Sequence, residues 1–247
     1  MNLQFNLLMV LPHCKTCDSQ NCFINRFTTA EWKSAIDKKR VALRIKKHDD
    51  LFREGDPVNG IYFIYKGQFK IFNSGYKNKT QIVRLAKSGD IIGHRGFGSS
   101  KIYPIGATAL SPATVCFIPE KTFKETLKNN GDLVFELLNF YADELRRAEY
   151  KLRSLSQMSA RQKLADALLT INEIFQPEHF EGVDYLGLQL PRQDYADITG
   201  SSLEEVIRTL SAFNKEGLIS LVGKRIKLLK PEVLKEMISS FGPLKIP

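Results

Sequence analysis

The hydrophobic positions of this chain change their period twice. From about residue 40 to 118, short runs rich in Val, Ile, Tyr and Phe alternate with Gly, Asn, Asp and Ser, as in GIYFIYKGQFKIFNSG, TQIVRLAKSGDIIG and ATALSPATVCFIP. Successive strand side chains point to opposite faces, which puts Ile61, Phe63 and Tyr65 on one side and Tyr62, Ile64 and Lys66 on the other. This pattern predicts an antiparallel sandwich, roll or barrel. From about 120 to 155 the period becomes helical. Leu138, Tyr141, Leu145, Ala148, Leu152 and Leu155 advance by three and four residues in turn, with Glu144, Arg146, Arg147, Glu149, Lys151 and Arg153 between them. So narrow a seam suits a helix facing a copy of itself; a helix packed on its own β-domain is the alternative.

The last zone, 160 to 247, opens with the amphipathic stretch RQKLADALLTINEIF, which carries Leu164, Leu168, Ile171 and Phe175 on one face. A short helix from about Arg192 to Thr199, the turn GSS and a longer helix from about Leu203 to Lys215 follow. Ser202 with Glu205 reads as a capping box, and Gly217 as a stop. Ile219 to Val222 and Arg225 to Leu229, joined across GK, make a hairpin. Two short helices, a tight turn and a hairpin form a winged helix-turn-helix pattern. If the second helix enters a major groove, Leu203, Glu204, Ile207 and Arg208 face base edges. Arg208 suits guanine and Glu204 a cytosine amino group, each at roughly 1 to 3 kcal/mol of discrimination. The bland alternative is a Glu204–Arg208 salt bridge at i, i+4. Lys215, Lys224, Arg225 and Lys227 are candidate phosphate contacts, as are Ser201 and Ser202 at the helix start.

Composition bounds the rest. A chain of 247 residues, 43% hydrophobic, can bury one large or two moderate cores without disulfides. The net charge of +9 is unevenly spread: residues 1–155 hold 25 Lys/Arg against 15 Asp/Glu, residues 156–247 hold 11 against 12. Charge is therefore weak support for DNA binding at the very segment that carries the motif. The run KKRVALRIKKHDD (38 to 50) reads as a solvated face. The start MNLQFNLLMVLPH lacks the charged region of a secretory signal, and its apolar run from Leu7 to Leu11 is too short to span a bilayer. A cytoplasmic protein with no membrane partner is expected. There, the three cysteines of PHCKTCDSQNCF (12 to 23) suggest metal, cluster or redox chemistry, with buried small hydrophobes as the alternative. A thiol oxidoreductase built on CKTC would need a βαβ context, which is missing, and no Walker, Ser-His-Asp or zinc-protease motif occurs, so no enzyme is expected.

The order of these parts, with EGDPVNGIYFIYKGQFKIF, SGDIIG and LPRQDYADITGSSLEEVIRTLSAFNKEGLI, resembles the Crp/Fnr transcription regulators from about residue 20 to 230. The resemblance implies an α+β chain. An N-terminal Cys-containing segment (1–26) would precede an antiparallel β-roll (27–128), a cyclic-nucleotide-binding-like double-stranded β-helix. A long dimerisation helix (129–157) and a winged helix-turn-helix DNA-binding domain (158–247) would follow. It implies a bacterial homodimer, joined through Leu138, Tyr141, Leu145, Ala148 and Leu152, on a near-palindromic operator, with promoter DNA and RNA polymerase as partners. Cyclic-AMP-binding members carry a glutamate in G-E-L-G and a later Arg-Ser pair. Here His94 takes the glutamate's place in GHRG, and KIYPIGATA (101 to 109) has no arginine, so cyclic AMP is not expected; His94, Arg95 and Tyr103 would border a remodelled effector pocket. Fnr-like members hold a [4Fe-4S] cluster on three N-terminal cysteines and one in a V-C-x-I-P context, which here correspond to Cys14, Cys17, Cys22 and Cys116. The N-terminal spacing is one residue shorter than that family's C-x2-C-x5-C. Zinc on the four thiolates, or on three with His13, satisfies the same donors. A regulator without metal, controlled by another small effector or by abundance, is the other reading.

Overall fold

The computed structural model describes residues 12–75 and 79–242, so the Leu7–Leu11 run lies outside the described residues. The chain divides into two compact units, Met1–Ala142 and Asp143–Pro247. The boundary falls inside a long helix, within the expected segment 129–157.

In the first unit, α1 (Phe23–Phe27) and α2 (Ala30–Asp37) precede eight strands. These are β1 (Val41–Ile45), β2 (Asp50–Phe52), β3 (Gly60–Lys66), β4 (Gln68–Ser74), β5 (Thr80–Lys87), β6 (Ile91–Ile92), β7 (Gly106–Ala109) and β8 (Ala113–Pro119). They pair antiparallel in two four-stranded sheets, β1-β8-β3-β6 and β2-β7-β4-β5, as the alternating pattern requires. Both faces of β3 are covered. Tyr62 and Ile64 join Phe52, Phe69, Ile71, Tyr103 and Val115 in the core of the roll. Ile61 and Phe63 pack with Ile24, Ile36, Ile118, Phe123 and Leu137 in a second cluster, against which Cys14, Cys22 and Cys116 lie. Helix α3 (Glu120–Lys128) and the start of α4 (Gly131–Gln157) complete the unit.

The basic run 38–50 is solvated as expected at Lys38, Lys39, Arg44, Lys46, Lys47, His48 and Asp49, while Arg40, Leu43 and Ile45 turn inward. Leu43 and Ile45 of β1 pack against the roll core. The Arg40 side chain is only 9% exposed, because it is paired with Asp37.

The second unit holds the rest of α4, then α5 (Ala160–Ile174), the hairpin β9 (Glu178–Phe180) and β10 (Val183–Tyr185), α6 (Arg192–Thr199), α7 (Leu203–Lys215), the hairpin β11 (Ile219–Val222) and β12 (Arg225–Leu228), and α8 (Pro231–Met237). The expected α6, α7 and hairpin are present, with β12 ending one residue earlier. Helix α5 packs against α6, α7 and α8 and buries Leu164, Leu168 and Ile171. Its start is fixed by a full capping box: Ser159 Oγ accepts from the Gln162 N–H and Gln162 Oε1 accepts from the Ser159 N–H. The box expected at Ser202 is formed by half, its hydroxyl accepting from the Glu205 N–H at 3.1 Å. Gly217, at φ 64°, closes α7 as expected. Its N–H donates to the Asn214 carbonyl and that of Leu218 to the Phe213 carbonyl, the paired bonds of a Schellman stop. Among the described residues no helix is long and apolar enough to cross a membrane.

A Cβ added at Gly187 would lie 1.6 Å from the Gln176 carbonyl oxygen, so two backbone segments meet there with no room for a side chain. Gly187→Ala is expected to cost about 1–3 kcal/mol of stability or more, read as a sharply lower urea midpoint. Ser159→Ala should cost about 1 kcal/mol. A Gly187→Ala midpoint equal to that of the unsubstituted chain would contradict the packing described.

Candidate functional site

Helix α7 has two distinct faces. Val206, Thr209, Leu210 and Phe213 are buried. Glu204, Ile207, Arg208 and Lys215 line an open groove along the other face together with Ser202, Glu205, Ser211 and Ala212, and Leu203 is exposed beside them at the first turn. Ser201 lies in the turn after Gly200, which closes α6 at φ 61°. The structure therefore gathers Leu203, Glu204, Ile207, Arg208, Ser201 and Ser202 at one end of α7, with Lys215 at the other. The Glu204–Arg208 salt bridge is not the pair that forms. Arg208 approaches Glu205 at 3.8 Å and its side chain remains 79% exposed, able to reach a ligand.

The β11–β12 hairpin is tied to this helix by the Leu221 N–H, which donates to Asn214 Oδ1 at 3.1 Å. Lys224 is exposed at its tip and Lys227 half-buried. Arg225, expected at a phosphate, is otherwise engaged. Its guanidinium lies 3.7 Å from the centre of the Phe180 ring and bonds Glu178 Oε1 at 3.4 Å, anchoring the wing to β9. The wing turn is also held from α6, where Arg192 Nη2 donates to the Gly223 carbonyl at 3.3 Å.

A second group of candidate residues lies in the first unit. Cys14 and Cys17 sit in a loop and Cys22 precedes the first residue of α1. Cys116 sits on β8, where the register sets it between Ala42 and Phe63. All four thiols are free and partly buried. They interact electrostatically as a set: Cys22 acts on Cys14 and Cys116, and Cys17 on Cys22 and Cys116. Burial pushes the Cys14 thiol up to about 12 and that of Cys116 to about 11. It raises Cys22 as well. Arg40 opposes the shift at all three.

Among the described residues, no three His, Cys, Asp or Glu side chains close around a point that would hold one metal ion. A tetrahedral zinc site with Zn–S near 2.3 Å needs sulfurs only about 3.8 Å apart. His13, the alternative fourth zinc donor, is 78% exposed and approaches Asp37 Oδ2 at 3.6 Å. Three of the thiols, Cys14, Cys22 and Cys116, lie against apolar side chains and within reach of one guanidinium; a polynuclear group spreads its thiolates over several metal atoms and does not need them to close around one point. Asp37 and Arg40 were missed in the sequence, Arg40 because it sits in a basic run that looks solvated.

Of the residues expected to border an effector pocket, His94, Arg95 and Tyr103, the two rings have different partners. The His94 ring is buried against Phe140 and Tyr141, at 4.8 and 5.6 Å between ring centres. Tyr103 instead stacks on Phe52 at 4.2 Å inside the roll and donates its hydroxyl to the Gly60 carbonyl at 2.8 Å. The two side chains serve different cores because each ring finds its apolar partners on a different side of the sheet. Arg95, between them in sequence, is half-buried.

Comparison with known proteins completes this picture. The family model described as "Cyclic nucleotide-binding domain" matches residues 42–130, and that described as "Crp-like helix-turn-helix domain" matches residues 162–237. The chain thus carries a cyclic nucleotide-binding domain followed by a Crp-like helix-turn-helix domain, the arrangement of the Crp/Fnr transcriptional regulators. This regulator is 27% identical over 219 residues to the transcriptional activator protein anr of Pseudomonas aeruginosa, covering 88% of each chain. It is 25% identical over 229 residues to the fumarate and nitrate reduction regulatory protein of Escherichia coli, covering 91% of this chain and 90% of that one. Its fold is shared with FixK2 from Bradyrhizobium japonicum, at a TM-score of 0.71 and 22% identity over 80% of this chain and 96% of the other. These relatives are regulators and not enzymes, as the absence of catalytic motifs leads one to expect. Regulators of this family bind DNA as dimers.

Because Arg208 is exposed and only loosely paired, Arg208→Ala should leave stability unchanged. It should weaken binding to a specific duplex by roughly 1–3 kcal/mol and relax one base position. An equal loss on random-sequence duplex in the same titration would make Arg208 a phosphate contact.

Proposed function

We propose that this regulator acts as a homodimer on a near-palindromic promoter site and that Cys14, Cys17, Cys22 and Cys116 hold a [4Fe-4S] group through which oxygen governs DNA binding. The observation that carries the oxygen reading is the set of four free, half-buried thiols drawn from two distant parts of the chain, three of which pack against one apolar cluster. The likeness to a fumarate and nitrate reduction regulator supports it. When bound, such a group supplies an oxygen-labile covalent tie between thiolates. The residues do the rest: the loop that bears Cys17 brings Cys14 and Cys22 against the apolar cluster of Ile61, Phe63 and Ile118 that Cys116 also touches, which limits the water reaching those sulfurs.

Dimerisation is supported by the exposed apolar seam of α4. Leu138 and Leu145 are each 62% exposed and Leu152 is 70% exposed, with Tyr141 and Ala148 between them. So much apolar surface in a/d spacing suits a second copy. Two α7 helices would then read half-sites about 34–36 Å apart, with Glu204 and Arg208 toward bases, Leu203 and Ile207 beside them, and Ser201, Ser202, Lys215 and Lys224 toward phosphates. Promoter DNA and RNA polymerase are the partners, in the cytoplasm. Cyclic AMP is not the effector on this reading, since Phe52, Tyr62 and Tyr103 stack within the roll and residues 101–109 offer no arginine for a cyclic phosphate.

Protein purified without oxygen should carry about four irons and four acid-labile sulfides per chain and bleach in air. A colourless, metal-free protein that binds its operator equally well in air and without it would overturn the oxygen reading. Leu145→Glu should give a monomer in sedimentation equilibrium and weaken operator binding at least about tenfold, since a carboxylate cannot be buried unpaired in the seam. A variant that remains dimeric would remove the seam from the interface.

A further inference from the structure

We propose that Asp37 and Arg40 are a positioning pair that presets the thiol site, fastening the loop that bears Cys14 to the strand that bears Cys116 before any metal is taken up. The purpose of this pair rests on the four-thiolate reading above; the fastening itself does not.

The connection between α2 and β1 puts both residues in reach. Helix α2 ends at Asp37 and β1 begins at Val41. In the β1–β8 register Ala42 lies opposite Cys116, so Arg40 stands just outside the strand pair beside that cysteine. Its three nitrogens reach in three directions. Nε donates to Asp37 Oδ1 at 2.8 Å, Nη2 donates to the Pro12 carbonyl at 2.6 Å, and Nη1 lies 3.6 Å from Cys116 Sγ. Asp37 holds the same loop from the other side, both its oxygens accepting from the Cys14 N–H, at 2.9 and 3.0 Å. One acid and one base thus join loop backbone, helix end and sheet sulfur.

The pair is shielded from water, with side-chain exposures of 9% for Arg40 and 10% for Asp37. Oppositely charged groups are costly to desolvate unless their donors and acceptors are also used, and here every guanidinium nitrogen and both carboxylate oxygens have a partner. The planar fork is what allows three separate bonds; a lysine would bring the charge as a point without the geometry. The guanidinium also offsets the negative charge that thiolates would gather at this corner. The rest of the loop has its own supports: Asn25 Nδ2 donates to the carbonyls of Cys17 and Ser19 at 3.3 and 3.4 Å. The pair's task is therefore the first cysteine and its approach to Cys116.

Amide hydrogen exchange of a peptide covering residues 12–22, in the full chain kept reduced and free of metal, tests the proposal. Wild type is compared with the double variant Arg40→Gln, Asp37→Asn, which leaves no lone buried charge, and with Arg40→Lys. Peptides from α5 to α7 report whether each variant is folded. The loop is expected to exchange at least about tenfold faster in the double variant, with Arg40→Lys in between. After anaerobic iron and sulfide loading, iron should then be lost to a chelator several-fold faster. Loop exchange unchanged in the folded double variant would overturn the proposal, and so would a loosened loop that keeps its iron as long as wild type does. If wild type takes up no iron, the cluster reading fails, while the exchange comparison still decides whether the pair fastens the loop.

Discussion

Strand β8 lies between β1 and β3 with apolar groups against both faces, and this double burial governs the sensor end of the molecule. Val115 and Phe117 turn toward the roll core, Cys116 and Ile118 toward the helices and the cysteine loop. Burying each large apolar side chain contributes about 1.5–3 kcal/mol. A slip of one residue would exchange the two sets and carry Cys116 into an interior occupied by aromatic rings. The position of the sulfur is thus enforced by the pairing of three strands. The loop carrying Cys14 rests on that apolar cluster through Cys14 and Cys22 but has no strand register to set it, and directed polar contacts fix its position.

At the other end of the chain the constraint is one of faces. Helix α7 is held by Val206, Leu210 and Phe213 beneath it and by its Ser202 and Gly217 termini, which leaves one continuous side uncommitted. The segment 156–247 has 11 basic against 12 acidic residues. Sequence-independent attraction to phosphate is correspondingly small. Affinity must come from local contacts around Arg208, Lys215 and Lys224, and from two copies binding together. A dimer is therefore part of the reading chemistry, and the exposed leucines of α4 are where it would form. Two side chains tie α4 to this unit: Lys151 Nζ donates to the Ile198 carbonyl at the end of α6, and Tyr150 to Asp166 of α5.

Much of this was legible in the sequence because it rests on local periodicity. The alternation of GIYFIYK, the three-and-four spacing from Leu138 to Leu155, and the turn between Thr199 and Leu203 each specify their element without help from distant residues. What could not be read depends on tertiary partners. Arg40 looks like one more solvated charge until α2 brings Asp37 beneath it. Arg225 looks free until Phe180 comes under its guanidinium. His94 and Tyr103, nine residues apart, looked like walls of one pocket, yet the sheet gives their rings different cores. The Ser159–Gln162 capping box, by contrast, is local and is written in the sequence three residues apart.

The most direct test of a dimeric, sequence-reading regulator is selection of bound duplexes from a random pool by anaerobically prepared protein. The expected result is an inverted repeat whose half-sites are centred one helical turn apart, about 34–36 Å, bound more weakly after exposure to air. A pool that shows no sequence preference, or a single half-site without its repeat, would contradict it.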